Sequence, residues 1–253
     1  MAAKRKKKNA KARTNAKAKT KLATSATSRR KRAPARRPRA AATKPRRARP
    51  EPAPHPRRAL GRLLALRNEH PERLVEIDRE IHDSFAETHA VMVLDMCGFS
   101  RLTARHGIIH FLAMIHRLHG VVLPIIDAHG GTLVKTEADN VFAVFPDVAP
   151  AVATAIEIQK RLDAANVFLP DDWDLHASLG IGYGELLMIG ADDMYGNEMN
   201  IASKLGEDIA GSGEVFLSDA AHARIADSAS LDRYERRQVP ISAMEVTAYK
   251  LIM

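Results

Sequence analysis

Asp95 and Asp139 are the residues of this chain whose settings best suit chemistry. Asp95 ends the apolar run Ala90-Val-Met-Val-Leu and leads through Met96-Cys97-Gly98-Phe99-Ser100 into a helical pattern. Asp139 sits in the short turn between Thr132-Leu-Val-Lys-Thr136 and Asn140-Val-Phe-Ala-Val-Phe145, two stretches that read as a hairpin. If those strands lie side by side, both carboxylates reach one rim. Two carboxylates close together make a site for hard divalent cations and the phosphates they carry. The N–H groups at the start of the following helix favour the same anion. Taken singly, Asp95 reads as a helix-cap residue and Asp139-Asn140 as ordinary turn chemistry. Taken jointly, they point to a cation site. Asn200 and Lys204 add a second pair, four apart on a helical stretch and therefore on one face.

The elements that must position these groups follow from hydrophobic spacing. The pattern predicts a strand over 90–95, then a helix over 100–128 with Ile108, Leu112, Ile115, Leu118, Val122 and Ile125 on its buried face. After the hairpin come a helix over about 149–165, with Ala151, Ala155, Ile158 and Leu162 in register, and strands at about 175–183 and 185–190. A helix at about 197–210, a strand at Glu214–Leu217 and two strands near 233–239 and 244–251 complete the order. This is an α+β arrangement, a ferredoxin-like βααββαβ sandwich with helices against one face of a mainly antiparallel sheet. Upstream, Leu60, Leu63, Leu64, Leu74, Ile77, Ile81 and Phe85 fall at helical spacing around Pro71. They read as a connecting helical segment over 59–88, either a packed leading helix or a dimerisation and signalling helix, ahead of a domain over 89–253.

Four stretches resemble the ordered motifs of the class III nucleotidyl cyclase catalytic domain. They are Leu94-Asp-Met-Cys-Gly-Phe-Ser100, Gly130-Gly-Thr-Leu-Val-Lys-Thr-Glu-Ala-Asp139, Gly180-Ile-Gly-Tyr-Gly-Glu185 and Tyr195-Gly-Asn-Glu-Met-Asn-Ile-Ala-Ser-Lys204. The resemblance implies an adenylate cyclase that turns ATP into 3′,5′-cyclic AMP and pyrophosphate at composite sites between the protomers of a head-to-tail homodimer. It implies two Mg²⁺ or Mn²⁺ ions per site, held by Asp95, Asp139 and the Met96 carbonyl, with Cys97, Gly98, Phe99 and Ser100 at the triphosphate. It further implies that Lys135 and Asp193 read adenine, that Asn200 orients the ribose, and that position 204 stabilises the transition state. Asp193, Asn200 and Lys204 would come from the facing subunit.

Three positions depart from that pattern. Lys204 stands where an arginine is usual, keeping the charge but losing the planar fork of a bidentate phosphate contact. Ala138 replaces the glycine that precedes the second aspartate, which strains the hairpin if that residue needs a positive φ. Gln238-Val-Pro-Ile241 stands where a Lys-Gly pair often meets phosphate, with Arg236 or Arg237 as substitutes. These departures motivate an alternative, a degenerate cyclase-homology module that binds nucleotide or dimerises without turnover.

Charge divides the chain sharply. Its 253 residues carry 39 Lys and Arg against 30 Asp and Glu, yet residues 1–58 hold 23 bases and one acid, near +22, leaving 59–253 near −13. The first 58 residues have almost no large apolar side chain beyond Leu22, so the composition predicts a disordered polycation resembling linker-histone and histone-like tails. Counterion release gives such a tail salt-sensitive affinity for nucleic acid or another polyanion, a third candidate function, and the absence of aromatics before residue 59 excludes base stacking. One cysteine, Cys97, excludes internal disulfides and Cys-based zinc. The basic start lacks the apolar core of a signal peptide, and no uninterrupted apolar run approaches the ~20 residues of a bilayer span. The expected setting is cytoplasmic, with nucleoid association through the tail. None of the eleven histidines is assigned to a metal, and Trp173 with Asp171, Asp172 and Asp174 reads as a solvated loop.

Overall fold

The computed structural model describes residues 55–170, 173–225, 233–241 and 244–253, the side chains of 99–101 excepted, so the basic segment up to residue 54 lies outside the described residues. An antiparallel helical hairpin leads: α1 (Pro56–Glu69), a 3-10 turn at Pro71–Arg73, and α2 (Leu74–Phe85). The expected single segment is thus two helices, because Pro71 has no N–H to continue the first. α1 starts inside the basic stretch, with Pro56 at its first position, where a fixed φ and a missing donor cost nothing. Leu63, Ile77, Ile81 and Phe85 form a small core with Ile189.

β1 (Ala86–Met96) begins four residues before its apolar run and is an interior strand of the sheet. It pairs antiparallel with β3 (Asn140–Phe145) on one side and β4 (Ala177–Met188) on the other. β2 (Thr132–Glu137) closes the expected hairpin with β3. Beyond β4 lie β6 (Val215–Ser218), β8 (Met244–Leu251) and β7 (Tyr234–Ile241), giving the order β2-β3-β1-β4-β6-β8-β7, in which only the β4–β6 pair is parallel. The two strands expected over 175–190 are one long strand, with β5 (Met194–Tyr195) folding back on its end. Pro240 sits in β7, where an edge strand tolerates a missing donor.

Helices cover both faces of the sheet, which corrects the expectation of one. Met92, Leu94 and Met96 point toward α4 (Ile108–Ala128) and α5 (Val148–Asn166), with α7 (Asp219–Ile225) on the same side. Val91 and Val93 point the other way, toward Ala202 on α6 (Asn197–Lys204). The Gly180-Ile-Gly motif makes that second layer possible. A Cβ on Gly180 would lie 2.0 Å from the Ala202 carbonyl oxygen, and one on Gly182 would lie 2.6 Å from that of Glu198. α6 then runs into a π turn, Leu205–Ile209, instead of continuing as α-helix.

The helix expected over 100–128 is broken at Gly107, whose φ of 81° only glycine adopts readily. The first piece is α3 (Phe99–His106). The buried face of α4 also differs from the expected one. Phe111, Met114, Leu118, Val122 and Ile126 are buried, whereas Ile108 and Leu112 are more than half exposed. α4 is apolar on nearly every side, so periodicity alone leaves its rotation undetermined. Among the described residues it is the one helix long and apolar enough to cross a membrane, yet its buried stripe packs in the main core with β1 and α5. The core of α5 is as expected, with Ala151, Ala155, Ile158 and Leu162 fully covered. Trp173 is only partly solvated: its ring meets His110 edge-on at 4.9 Å and lies under the Arg117 guanidinium at 5.0 Å.

Candidate active site

Alternation along β1 turns Asp95 toward the α6 side, the side opposite Leu94 and Met96. The β1–β3 register pairs Leu94 with Val141, which brings Asp95 to the level of the β2–β3 turn carrying Asp139. Both carboxylates therefore occupy one rim. Burial, then the neighbouring charge of Asp139, then those of Glu207 and Asp208 on the π turn, push Asp95 up to about 7. Asp139 is raised as well, chiefly by burial. Among the described residues no base forms an ion pair with either.

Such a pair is poised to take up positive charge, because a desolvated carboxylate beside another favours protonation unless a cation is present. Asp95 and Asp139 therefore fit hard divalent ions. Among the described residues no three His, Cys, Asp or Glu side chains converge into a closed cage. Two carboxylates with open positions suit Mg²⁺ or Mn²⁺, which keep water and take phosphate oxygens as further ligands.

The turn itself is strained. Ala138 has φ 52°, the one non-glycine residue with positive φ among those described, at the first central position of a two-residue hairpin where glycine is usual. The strain expected from the sequence at this position is present.

Gly98, with φ 96°, opens α3 without a side-chain cap, so the N–H groups of its first turn remain available to an anion. The Cys97 amide is different. It donates to the His176 carbonyl at 2.9 Å, so this part of the expected phosphate loop is already bonded within the fold, as strand pairing extends one residue past β1. The side chains of Phe99 and Ser100 lie outside the described residues.

Lys135 and Asp193 come together as a pair. Lys135 Nζ lies 3.1 Å from Asp193 Oδ1 and 2.7 Å from Glu137 Oε1, and sits 5.0 Å over the Phe142 ring. A bulge between Leu133 and Lys135 re-aims the strand there. Burial alone would lower the lysine's pKa, but Glu137 and Asp193 outweigh it and the net shift is upward. Asp193 behaves reciprocally: burial favours its neutral form, and the hydrogen bonds from Tyr195, Lys135 and the Met194 amide more than reverse that. Two of its partners, Arg57 and Tyr195, were missed in the sequence. Tyr195 stands two residues further along the chain, in β5, a closeness that could have flagged it, whereas nothing local points to Arg57.

Asn200 and Lys204 line a different cleft, of about 510 Å³, with Ile241, Met244 and Val246 from the β7–β8 hairpin. Neither Asp95 nor Asp139 lines it. Lys204 Nζ is held by Asp208 at 2.7 Å, one turn further along. Arg236 and Arg237 stay on their own edge hairpin, Arg236 donating to Thr247 and Arg237 pairing with Glu235.

Comparison with solved structures fixes the architecture. The chain overlays an adenylate/guanylate cyclase/hydrolase from Silicibacter pomeroyi with TM-score 0.58 and 24% identity, covering 66% of this chain and 98% of that one. The fold is that of the class III nucleotidyl cyclase domain. The cyclase fold recurs in the adenylyl cyclase CyaB from P. aeruginosa, at TM-score 0.53 and 21% identity over 66% of this chain and 96% of that one. It recurs again in the catalytic core of a rhodopsin-guanylyl cyclase with converted specificity bound to ATPalphaS, at TM-score 0.55 and 17% identity over 66% and 97%. Among curated proteins, "Putative adenylate cyclase 3" of Rhizobium meliloti is 29% identical over 143 residues, 56% of this chain and 24% of that protein. The Myxococcus xanthus "Serine/threonine-protein kinase pkn2" is 26% identical over 132 residues, 52% of this chain and 16% of that protein. The chain thus spans a quarter or less of the length of these curated relatives. No family model matches it.

Proposed function

We propose that the chain is an adenylate cyclase, forming 3′,5′-cyclic AMP and pyrophosphate from ATP at sites completed by a second copy. The observation that carries this reading is the desolvated pair Asp95 and Asp139 at one rim of a cyclase fold, raised toward neutrality and without a basic partner among the described residues. They would hold two Mg²⁺ or Mn²⁺ ions, which supply charge neutralisation at the triphosphate and acidify the ribose 3′-hydroxyl. The reaction joins O3′ to the α-phosphorus and breaks that phosphorus's bond to the pyrophosphate oxygen. It needs in-line positioning and screening of phosphate charge more than a covalent nucleophile. Asp193 accepts from the exocyclic amine of adenine while Lys135 donates to a ring nitrogen. Asn200 orients the ribose, and Lys204 of the facing protomer screens the reacting phosphate. The first-turn amides of α3 bind the triphosphate.

The test is product formation by purified protein with ATP or GTP and Mg²⁺ or Mn²⁺. Cyclic AMP that disappears in Asp95→Ala and Asp139→Ala supports the reading. A clear guanine preference overturns the roles of Lys135 and Asp193.

A second reading, nucleotide binding without turnover, draws on Ala138 at φ 52° and on Lys204 held by Asp208. Measurable ATP affinity with no product in either metal would select it. Polyanion binding by residues 1–58 rests on their 23 bases. It predicts DNA affinity that falls steeply with salt and is lost when the segment is deleted.

A further inference from the structure

The carboxylate of Asp193 is fully subscribed. A carboxylate offers about four lone-pair sites on two oxygens. Oδ1 receives the Met194 amide at 3.0 Å and Lys135 Nζ at 3.1 Å, and Oδ2 receives the Tyr195 hydroxyl at 2.8 Å and Arg57 Nη2 at 3.4 Å. No site remains for the amine of a base. One donor must leave before that oxygen can accept another.

The four donors are not equally held. Met194 is fixed by the backbone, Tyr195 makes the shortest contact, and Lys135 has Glu137 and the Phe142 ring to keep it in place. Arg57 makes the longest contact, and its side chain is 60% exposed against 11% for Asp193. An exposed, long ion pair is the cheapest of the four to break.

We propose that Arg57 is a displaceable plug on the base-reading carboxylate, so that nucleotide binding and the docking of α1 on this corner oppose each other. This rests on the reading of Asp193 given above. α1 is well placed to feel the exchange. Pro56 packs on Gly190, where an added Cβ would come within 3.2 Å of its Cγ, and His55 lies 3.5 Å from Asp192. Leu63 shares a core with Ile189. The start of α1 therefore clasps the 189–193 loop that carries the carboxylate. Coupling between two such events is reciprocal, so whatever draws the start of α1 away strengthens nucleotide binding, and nucleotide loosens α1.

The experiment uses the full chain as wild type, Arg57→Gln and Asp193→Asn. The probes are two triphosphates that cannot cyclise, 3′-deoxy-ATP and its purine counterpart lacking the exocyclic amine. Calorimetry reads affinity, and amide exchange over residues 57–60 reads α1. Arg57→Gln is expected to bind 3′-deoxy-ATP roughly two- to fivefold more tightly, the range of an exposed ion pair, with the purine analogue unchanged. In the wild type 3′-deoxy-ATP, and not the purine analogue, is expected to speed exchange at the start of α1. Equal or weaker binding by Arg57→Gln, or tightening for both probes, overturns the plug while leaving Asp193 as base reader if Asp193→Asn loses the preference for the amine. Retention of that preference in Asp193→Asn, or no binding of either probe by the wild type, removes the base-reading role and the plug with it. The exchange measurement on the wild type stands even if a variant fails to fold.

Discussion

Asp95 and Asp193 lie on the same cyclase fold, the first half-buried and the second buried, and have been driven in opposite directions. Asp193 is surrounded by donors, and its pKa falls below the ordinary carboxylate value despite burial. Asp95 is raised first by burial and then by Asp139, Glu207 and Asp208, and its pKa rises to about 7. Burial pushes both upward, and at Asp193 the donors reverse the sign. A satisfied carboxylate is an orienting group, held in one place by its donors. A frustrated one suits a cation, because an arriving ion removes the repulsion that the fold alone cannot.

The largest test of this contrast is catalytic. Asp95→Asn or Asp139→Asn is expected to lower cyclic AMP production at least ~100-fold, as loss of a charge-stabilising group does, while leaving the apo domain as stable or more so. Asp193→Asn is expected to change base selectivity more than maximal rate and to destabilise the fold by about 1 kcal/mol, since Lys135 loses a charged partner. A thermal melt and an ATP-versus-GTP rate comparison check both. If Asp95→Asn were the destabilising variant, the contrast would be broken.

Metal addition comes next. At a hundredfold excess over the dissociation constant, Mg²⁺ or Mn²⁺ is expected to stabilise the wild type by ~2.7 kcal/mol. Asp95→Asn should respond much less in the same melt.

The pH dependence is smaller and its sign is definite. The folded state of Asp95 binds its proton more tightly than the unfolded chain does. Its contribution therefore favours folding below about pH 4 and is progressively lost as pH rises from there to about 7. Asp95 is only half withdrawn from solvent, so about 1–2 kcal/mol is expected after allowing for screening. Denaturant melts of metal-free protein across that window should show a decline that Asp95→Asn lacks. Asp193 contributes in the opposite sense, present at neutral pH and lost as pH falls through its depressed folded value.

The smallest effect is at Ala138. Ala138→Gly removes left-handed strain of ~1–2 kcal/mol and adds unfolded-state entropy that offsets part of it, so a net gain of about 0.5 kcal/mol is expected. A lower denaturation midpoint in that variant would mean the turn is not strained.

Much of the candidate site's placement was legible because it lies where local signals end. Asp95 stops an apolar run, Asp139 sits between two strand patterns, and Asn200 and Lys204 share a helical spacing. The hairpin, α5 and the strained Ala138 followed from the same reasoning. Where periodicity carried no information, the sequence misled: α4 is apolar on nearly every side, and its inward face was misjudged. Gly107, which breaks the long helix, reads as an ordinary glycine until its φ is known.

The sequence by itself determined the chemistry on offer: two acids at strand ends, a lysine and an aspartate far apart in the chain, and a glycine run able to admit a helix. Only tertiary structure decided the electrostatic state of each group. Glu207 and Asp208 reach Asp95 through a π turn, and Arg57 reaches Asp193 across 136 residues. The reason is that pKa and hydrogen-bond satisfaction depend on distances through space, which fall off within a few residues' reach and keep no memory of separation along the chain.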